Sequence, residues 1–136
     1  MTMQLFERDL VEAEKTIVIS SPGLRRKKVE RLIEILMPRL ESGVSVTVIT
    51  REPDSVGYED TLELHMLIDE MRRNGIIVRQ TGDNGEHFAV IDKRLVWHGG
   101  MNLLGKGDFY DNLIRVENEQ AATELLEIAE KCVIAE

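Results

Sequence analysis

The chain holds a single cysteine, Cys132. That excludes an internal disulfide and favours a reducing compartment. Basic residues are the minority: 17 Lys and Arg stand against 25 Asp and Glu, for a net charge of −8. This excludes a protein whose whole surface grips nucleic acid, though not a local basic patch. No apolar run approaches the roughly 20 residues a membrane span needs. The start, Met1-Thr2-Met3-Gln4-Leu5-Phe6-Glu7, turns charged too soon for a signal peptide. A cytoplasmic, soluble protein with no membrane contact is expected. Cys/His metal spacing, a P-loop and a dinucleotide fingerprint are all missing, so no metal and no cofactor is expected. The sequence also lacks internal repeats and low-complexity tracts.

What remains is enough chain for one domain: 136 residues bury a real core but do not divide into two. Residues 1–136 read as one unit, and the abrupt start in a helix is what a domain excised from a larger protein would show. Leu5, Phe6, Leu10 and Val11 recur at helical spacing up to about Lys15. Thr16–Ser20 is a β-branched run that stops at Ser21-Pro22-Gly23, a buried strand and its turn. Val29, Leu32, Ile33, Leu36 and Met37 mark a second helix from Leu24 to about Leu40, with Pro38 expected to kink or fray its last turn and Gly43 ending it. Val44–Thr50 is a second strand. After the polar loop Arg51–Gly57, a third helix carries Leu62, Leu64, Met66, Leu67 and Met71 and stops at Asn74-Gly75. Ile76–Gln80 is a third strand. Three such units predict a parallel sheet with helices on both faces and right-handed crossovers.

The pattern then changes. Strands at 87–91 and 94–98 lie too close together for a crossover helix and predict an antiparallel hairpin. A loop over 103–110, a last strand Asn112–Val116 and a helix from Glu119 to about Val133, capped by Asn118, complete an α/β chain. The fold expected is a three-layer α/β/α sandwich with a mixed, mostly parallel sheet.

The hairpin carries the polar groups. Gly85-Glu86-His87-Phe88-Ala89-Val90-Ile91-Asp92 is followed by Lys93-Arg94-Leu95-Val96-Trp97-His98 and then Gly99-Gly100-Met101-Asn102. This text resembles the phospholipase D superfamily signature, HxKxxxxD followed after six residues by GSxN or GGxN. In that frame the family's His falls on Gly85, its Lys on His87, its Asp on Asp92, its glycine pair on Gly99 and Gly100, and its Asn on Asn102. An acidic residue about ten positions after the Asn, present in single-motif nucleases of the superfamily, corresponds to Asp111. The resemblance spans nearly the whole chain, and its local text is most similar to phospholipase D-like domains appended to bacterial helicase or ATPase proteins acting on DNA. A helicase or ATPase domain in the same full-length protein is therefore implied.

Phosphodiester transfer through a covalent intermediate needs a nucleophile, an acid for the leaving oxygen and donors for the phosphoryl oxygens. The resemblance implies that His87, Asp92, Asn102 and Asp111 stand at catalytic positions, while Gly85 removes the attacking imidazole. His87 in the Lys position donates to phosphate when protonated, but it is shorter and often neutral at pH 7. Asp92 has a plainer reading as the cap of the hairpin turn. Gly99 and Gly100 permit close backbone approach to phosphate, and the Asn102 amide can donate to an oxyanion. His65 reads as packing or surface, His98 as a possible neighbour of the pocket, and Trp97 as core on the opposite face.

Arg25, Arg26 and Lys27, with Lys28, open the second helix just past the first strand. They set cations and free helix amides at the sheet edge where anions bind, and phosphate-backbone contact is expected from them. Two functions follow: a nucleic-acid phosphate-binding or accessory module with a degenerate site, or a metal-independent phosphodiesterase or nuclease using His87. The resemblance also implies a homodimer paired through the motif hairpins. A scaffold that only dimerises or packs on a larger partner is the third reading.

Overall fold

Each run of apolar residues anticipated above becomes an element of one sheet and its covering helices. The computed structural model describes residues 2–53, 58–82, 87–98 and 114–134. In chain order the elements are α1 (Thr2–Val11), β1 (Thr16–Ser20), α2 (Arg26–Glu41), β2 (Ser45–Arg51), α3 (Tyr58–Arg73), β3 (Ile77–Thr81), β4 (Phe88–Ile91), β5 (Leu95–His98), β6 (Ile114–Glu117) and α4 (Glu119–Cys132). The expected strand at 112–116 thus begins at Ile114 among the described residues, and the expected loop over 103–110 lies outside them.

The six strands lie in the order β3-β2-β1-β4-β5-β6. β1 pairs in parallel with β2, and β2 with β3. The pairings β1–β4, β4–β5 and β5–β6 are antiparallel. The sheet is mixed, as expected, with β1, β2, β3 and β5 running one way and β4 and β6 the other. Only β1, β2 and β3 are joined by crossover helices, and a hairpin connection reverses direction.

One hydrophobic cluster joins Phe6 and Leu10 of α1, Val29, Leu32 and Leu36 of α2, and Leu64, Leu67 and Met71 of α3 to Ile17, Ile19, Val46, Val48, Val78, Ala89 and Trp97 of the sheet. A second joins Ala122 and Ala129 of α4 to Ile49, Phe88, Val90 and Val96. Three helices therefore cover one face and α4 the other. The βα units do not put their helices on both faces. The two crossovers step the same way across the sheet, and right-handed crossovers in one direction deliver their helices to one side.

Local rules hold where they apply. Gly75 sits at φ +91°, and the Ile76 N–H reaches back to the Met71 carbonyl at 3.0 Å, closing α3 as a left-handed stop does. Asn118 Oδ1 accepts the Ala121 N–H at 3.0 Å and caps α4. Pro38 lies inside α2, which continues through it to Glu41. Phe6 packs edge-on to Trp97, ring centres 5.6 Å apart, a contact of about 1 kcal/mol beyond burial. No helix among the described residues is long and apolar enough to cross a membrane.

Candidate phosphate-binding site

The carboxyl ends of β1, β2 and β3 and the start of β4 meet at one end of the sheet, and polar side chains gather there. Ser20, Ser21, Thr50 and Thr81 are all buried. Ser21 donates its N–H to the Ile49 carbonyl at 2.9 Å and its hydroxyl to the Gly23 carbonyl at 2.8 Å. Thr50 Oγ1 donates to the Pro22 carbonyl at 3.3 Å, and the Glu52 N–H to the Thr81 carbonyl at 2.8 Å. The Ser-Pro-Gly turn is thus sewn to the end of β2, giving a fixed floor. The sequence pattern marked this turn as the end of a strand but not these hydroxyls, whose burial depends on neighbouring strands.

His87 stands immediately before β4. Ser20 pairs with Phe88, so the same register carries His87 alongside Ser21. Phe88 and Val90 point toward α4, Ala89 and Ile91 toward the other helices. Alternation therefore sends His87, partly buried, to the face shared with α2. His98 pairs with Phe88, so it points to the α4 face. The two imidazoles serve opposite sides of the sheet.

The first turn of α2 opens at this same end and face. Arg25 is its N-cap, extended at φ −120°, and its side chain makes no capping hydrogen bond. Arg25 and Lys27 are exposed. Arg26 lies 3.3 Å from Glu63 and 3.6 Å from Glu70, so two α3 carboxylates already answer its charge. Lys28, the fourth cation, is partly buried: burial first, and then the neighbouring Arg25, lower its ammonium pKa below the usual lysine value. His65 is exposed on α3 and Trp97 is in the core.

Asp92 is not part of this end. It follows β4 at the opposite edge, five residues from His87 and about 16 Å away along an extended strand. Its Oδ1 accepts the Lys15 N–H at 2.7 Å and the Thr16 N–H at 3.1 Å, and Oδ2 the Glu14 N–H at 3.1 Å. Burial by itself would raise its carboxyl, but the amides of Lys15, Glu14 and Thr16, helped by Arg94, outweigh burial and hold it below the usual range. Both oxygens are thus committed to backbone amides of the connection between α1 and β1, not to the hairpin turn that Asp92 itself opens, and they lie far from His87. Asn102, Asp111, Gly99 and Gly100, like Gly85, lie outside the described residues.

These elements are those of a known family. Residues 6–133 match the family model described as the cardiolipin synthase, PLD-like domain, and the chain belongs to this phospholipase D-like family. It is similar in structure to Nuc from Salmonella typhimurium, a phospholipase D family member, at 16% identity and TM-score 0.70, over 95% of this chain and 84% of that one. NucT from Helicobacter pylori is similar at 14% identity and TM-score 0.69, over 98% and 90%. TrmBL2, an archaeal chromatin protein described as showing a novel mode of DNA binding, is similar at 12% identity and TM-score 0.65, over 96% of this chain and 45% of that one. At these identities the likeness shows the fold. No curated protein sequence matches the chain.

Proposed function

We propose that this phospholipase D-like domain binds nucleic-acid phosphates as an accessory module in DNA processing, with a degenerate catalytic motif. The observation that carries the reading is the separation of the motif's parts. His87 stays at the sheet end that also presents the first turn of α2, while Asp92 is held at the other end by three backbone amides. Gly85 supplies no imidazole at the family's nucleophile position. What is left at that end is suited to holding a phosphate: uncapped first-turn amides and the exposed cations of Arg25 and Lys27, which favour anions. The DNA binding described for TrmBL2 supports nucleic acid as the ligand. A homodimer and a covalently attached helicase or ATPase domain belong to the same reading.

The second reading, a metal-independent phosphodiesterase with His87 as nucleophile, draws on the position of His87 beside the rigid Ser20-Ser21 turn. One experiment separates the two. Fluorescence anisotropy with a labelled single-stranded oligonucleotide is measured over a salt series, beside hydrolysis of bis(p-nitrophenyl) phosphate in EDTA. The module reading expects salt-sensitive binding weakened by Arg25→Ala with Lys27→Ala, and no turnover by wild type or His87→Ala. EDTA-resistant turnover lost on His87→Ala would establish the enzyme instead, and no binding at low salt would end the module reading.

A further inference from the structure

The sheet end that carries His87 has a second side. Along β2, Val46 and Val48 point to the face covered by α1, α2 and α3, and Ile49 to the face of α4. Alternation therefore sends Arg51 to the α4 face. Arg51 is the last residue of β2 and stands level with Thr81 at the end of β3. Its N–H donates to the Pro22 carbonyl at 3.4 Å, which holds its backbone against the Ser21-Pro22-Gly23 turn. The first turn of α2, with Arg25 and Lys27, lies across that turn on the other face.

Arg51 is partly buried, and a guanidinium so placed ordinarily finds a carboxylate or a carbonyl. The other partly buried arginines do. Arg26 meets Glu63 and Glu70, Arg79 meets Glu130, and Arg39 donates to the Ala13 carbonyl at 3.5 Å. Among the described residues none bonds or ion-pairs with the Arg51 side chain. Glu130, on the last turn of α4, is taken by Arg79 on the neighbouring strand, its Oε1 2.9 Å from Nη2. In a chain with 25 acidic residues against 17 Lys and Arg, a half-buried cation left unanswered destabilises the fold. Such departures gather where a ligand is bound.

We propose that Arg51 contacts a nucleic-acid phosphate, carrying the track begun by Arg25 and Lys27 over the Ser21-Pro22-Gly23 turn to the α4 face. The inference rests on the nucleic-acid reading above and sharpens its ligand: a single strand that offers several phosphates in a row, in place of a free phosphate or a mononucleotide. The planar fork of guanidinium donors matches two phosphate oxygens at once. A plainer role is available at the same corner. α4 ends there, with Val133 bridged to Thr81 and the Ile134 N–H on the Gln80 carbonyl at 2.8 Å, and a cation beside a helix C-terminus stabilises it. The two roles move stability in opposite directions. Removing a cation that serves the helix lowers it, whereas removing one kept for a ligand leaves it level or raises it.

The test follows the anisotropy of a labelled oligothymidine strand over a salt series, with thermal midpoints of the free proteins read by circular dichroism. Arg51→Gln should weaken binding and flatten the slope of log affinity against log salt by about 0.7, the value for one single-strand phosphate contact, while its midpoint stays level or rises. Arg51→Lys keeps the charge and should keep the slope. Joined to Arg25→Ala and Lys27→Ala, Arg51→Gln should bring the loss of slope to about 2.1, as three contacts on one strand require. An unchanged slope in Arg51→Gln, with the Arg25 and Lys27 changes still flattening it, would overturn the Arg51 contact and leave the nucleic-acid reading standing. A lowered midpoint, or a failure to fold, in Arg51→Gln would assign Arg51 to the end of α4 and overturn the contact too. A wild type that binds no strand at low salt would remove the nucleic-acid reading itself, and the Arg51 contact with it.

Discussion

Trp97 donates its indole N–H to Asp9 Oδ2 at 2.8 Å, deep in a contact where both residues are nearly inaccessible, at 1% and 4% exposure. The same carboxylate receives Arg115 Nε at 2.7 Å and a second guanidinium nitrogen at 3.1 Å. One buried acid on α1 therefore ties that helix to β5 and to the edge strand β6. Asp9→Ala leaves the indole N–H unanswered and the guanidinium without its counter-charge, and is expected to cost about 3 kcal/mol. Urea unfolding measures this, and hydrogen exchange at the Val116 amide should show β6 loosening before the rest of the sheet.

Asp92 contributes stability through charge accepted from backbone amides. Its carboxyl is lowered in the folded state, so its contribution is complete above the ordinary aspartate pKa of about 3.9 and is lost as pH falls through the lowered folded value. Asp92→Asn should destabilise at pH 7 by about 2 kcal/mol and by much less at pH 2. A pH series of urea midpoints for the two proteins checks this; parallel curves would refute it.

Lys93 stands at φ +58°, directly after Asp92 at φ +54°, and the Arg94 N–H returns to the Ile91 carbonyl at 3.2 Å. Asp tolerates this left-handed geometry better than Lys does. Lys93→Gly should therefore raise stability by about 1 kcal/mol, read as a higher thermal midpoint. Lys93→Val should lower it.

Arg26 differs from its two exposed neighbours because Glu63 and Glu70 already face it. Arg26→Ala should weaken oligonucleotide binding no more than about twofold, while the double change of Arg25 and Lys27 should flatten the salt slope by about 1.4, the value for two phosphate contacts on a single strand. Glu63→Ala with Glu70→Ala frees Arg26 and should strengthen binding. Anisotropy over a salt series reads all three.

Much of the molecule was legible before any coordinates. The strand runs at 16–20 and 44–50, the helix around Leu64 and Leu67, the Asn118 cap and the Gly75 stop depend on residues within a turn or a strand of one another, and local periodicity and backbone preference suffice for those. The family frame was legible too, because its spacing lies within one hairpin.

Only tertiary structure decided the rest. The amides that claim Asp92 lie 76 to 78 residues away in sequence, and the carboxylates that answer Arg26 sit on a different helix. The placement of α2 and α3 on one face followed from the direction in which successive crossovers step, which no local pattern encodes. Sequence by itself settled which residues would form strands and helices, since those choices are made among neighbours. It left open which polar groups would be used up in holding the fold, because partners brought together only by folding take them.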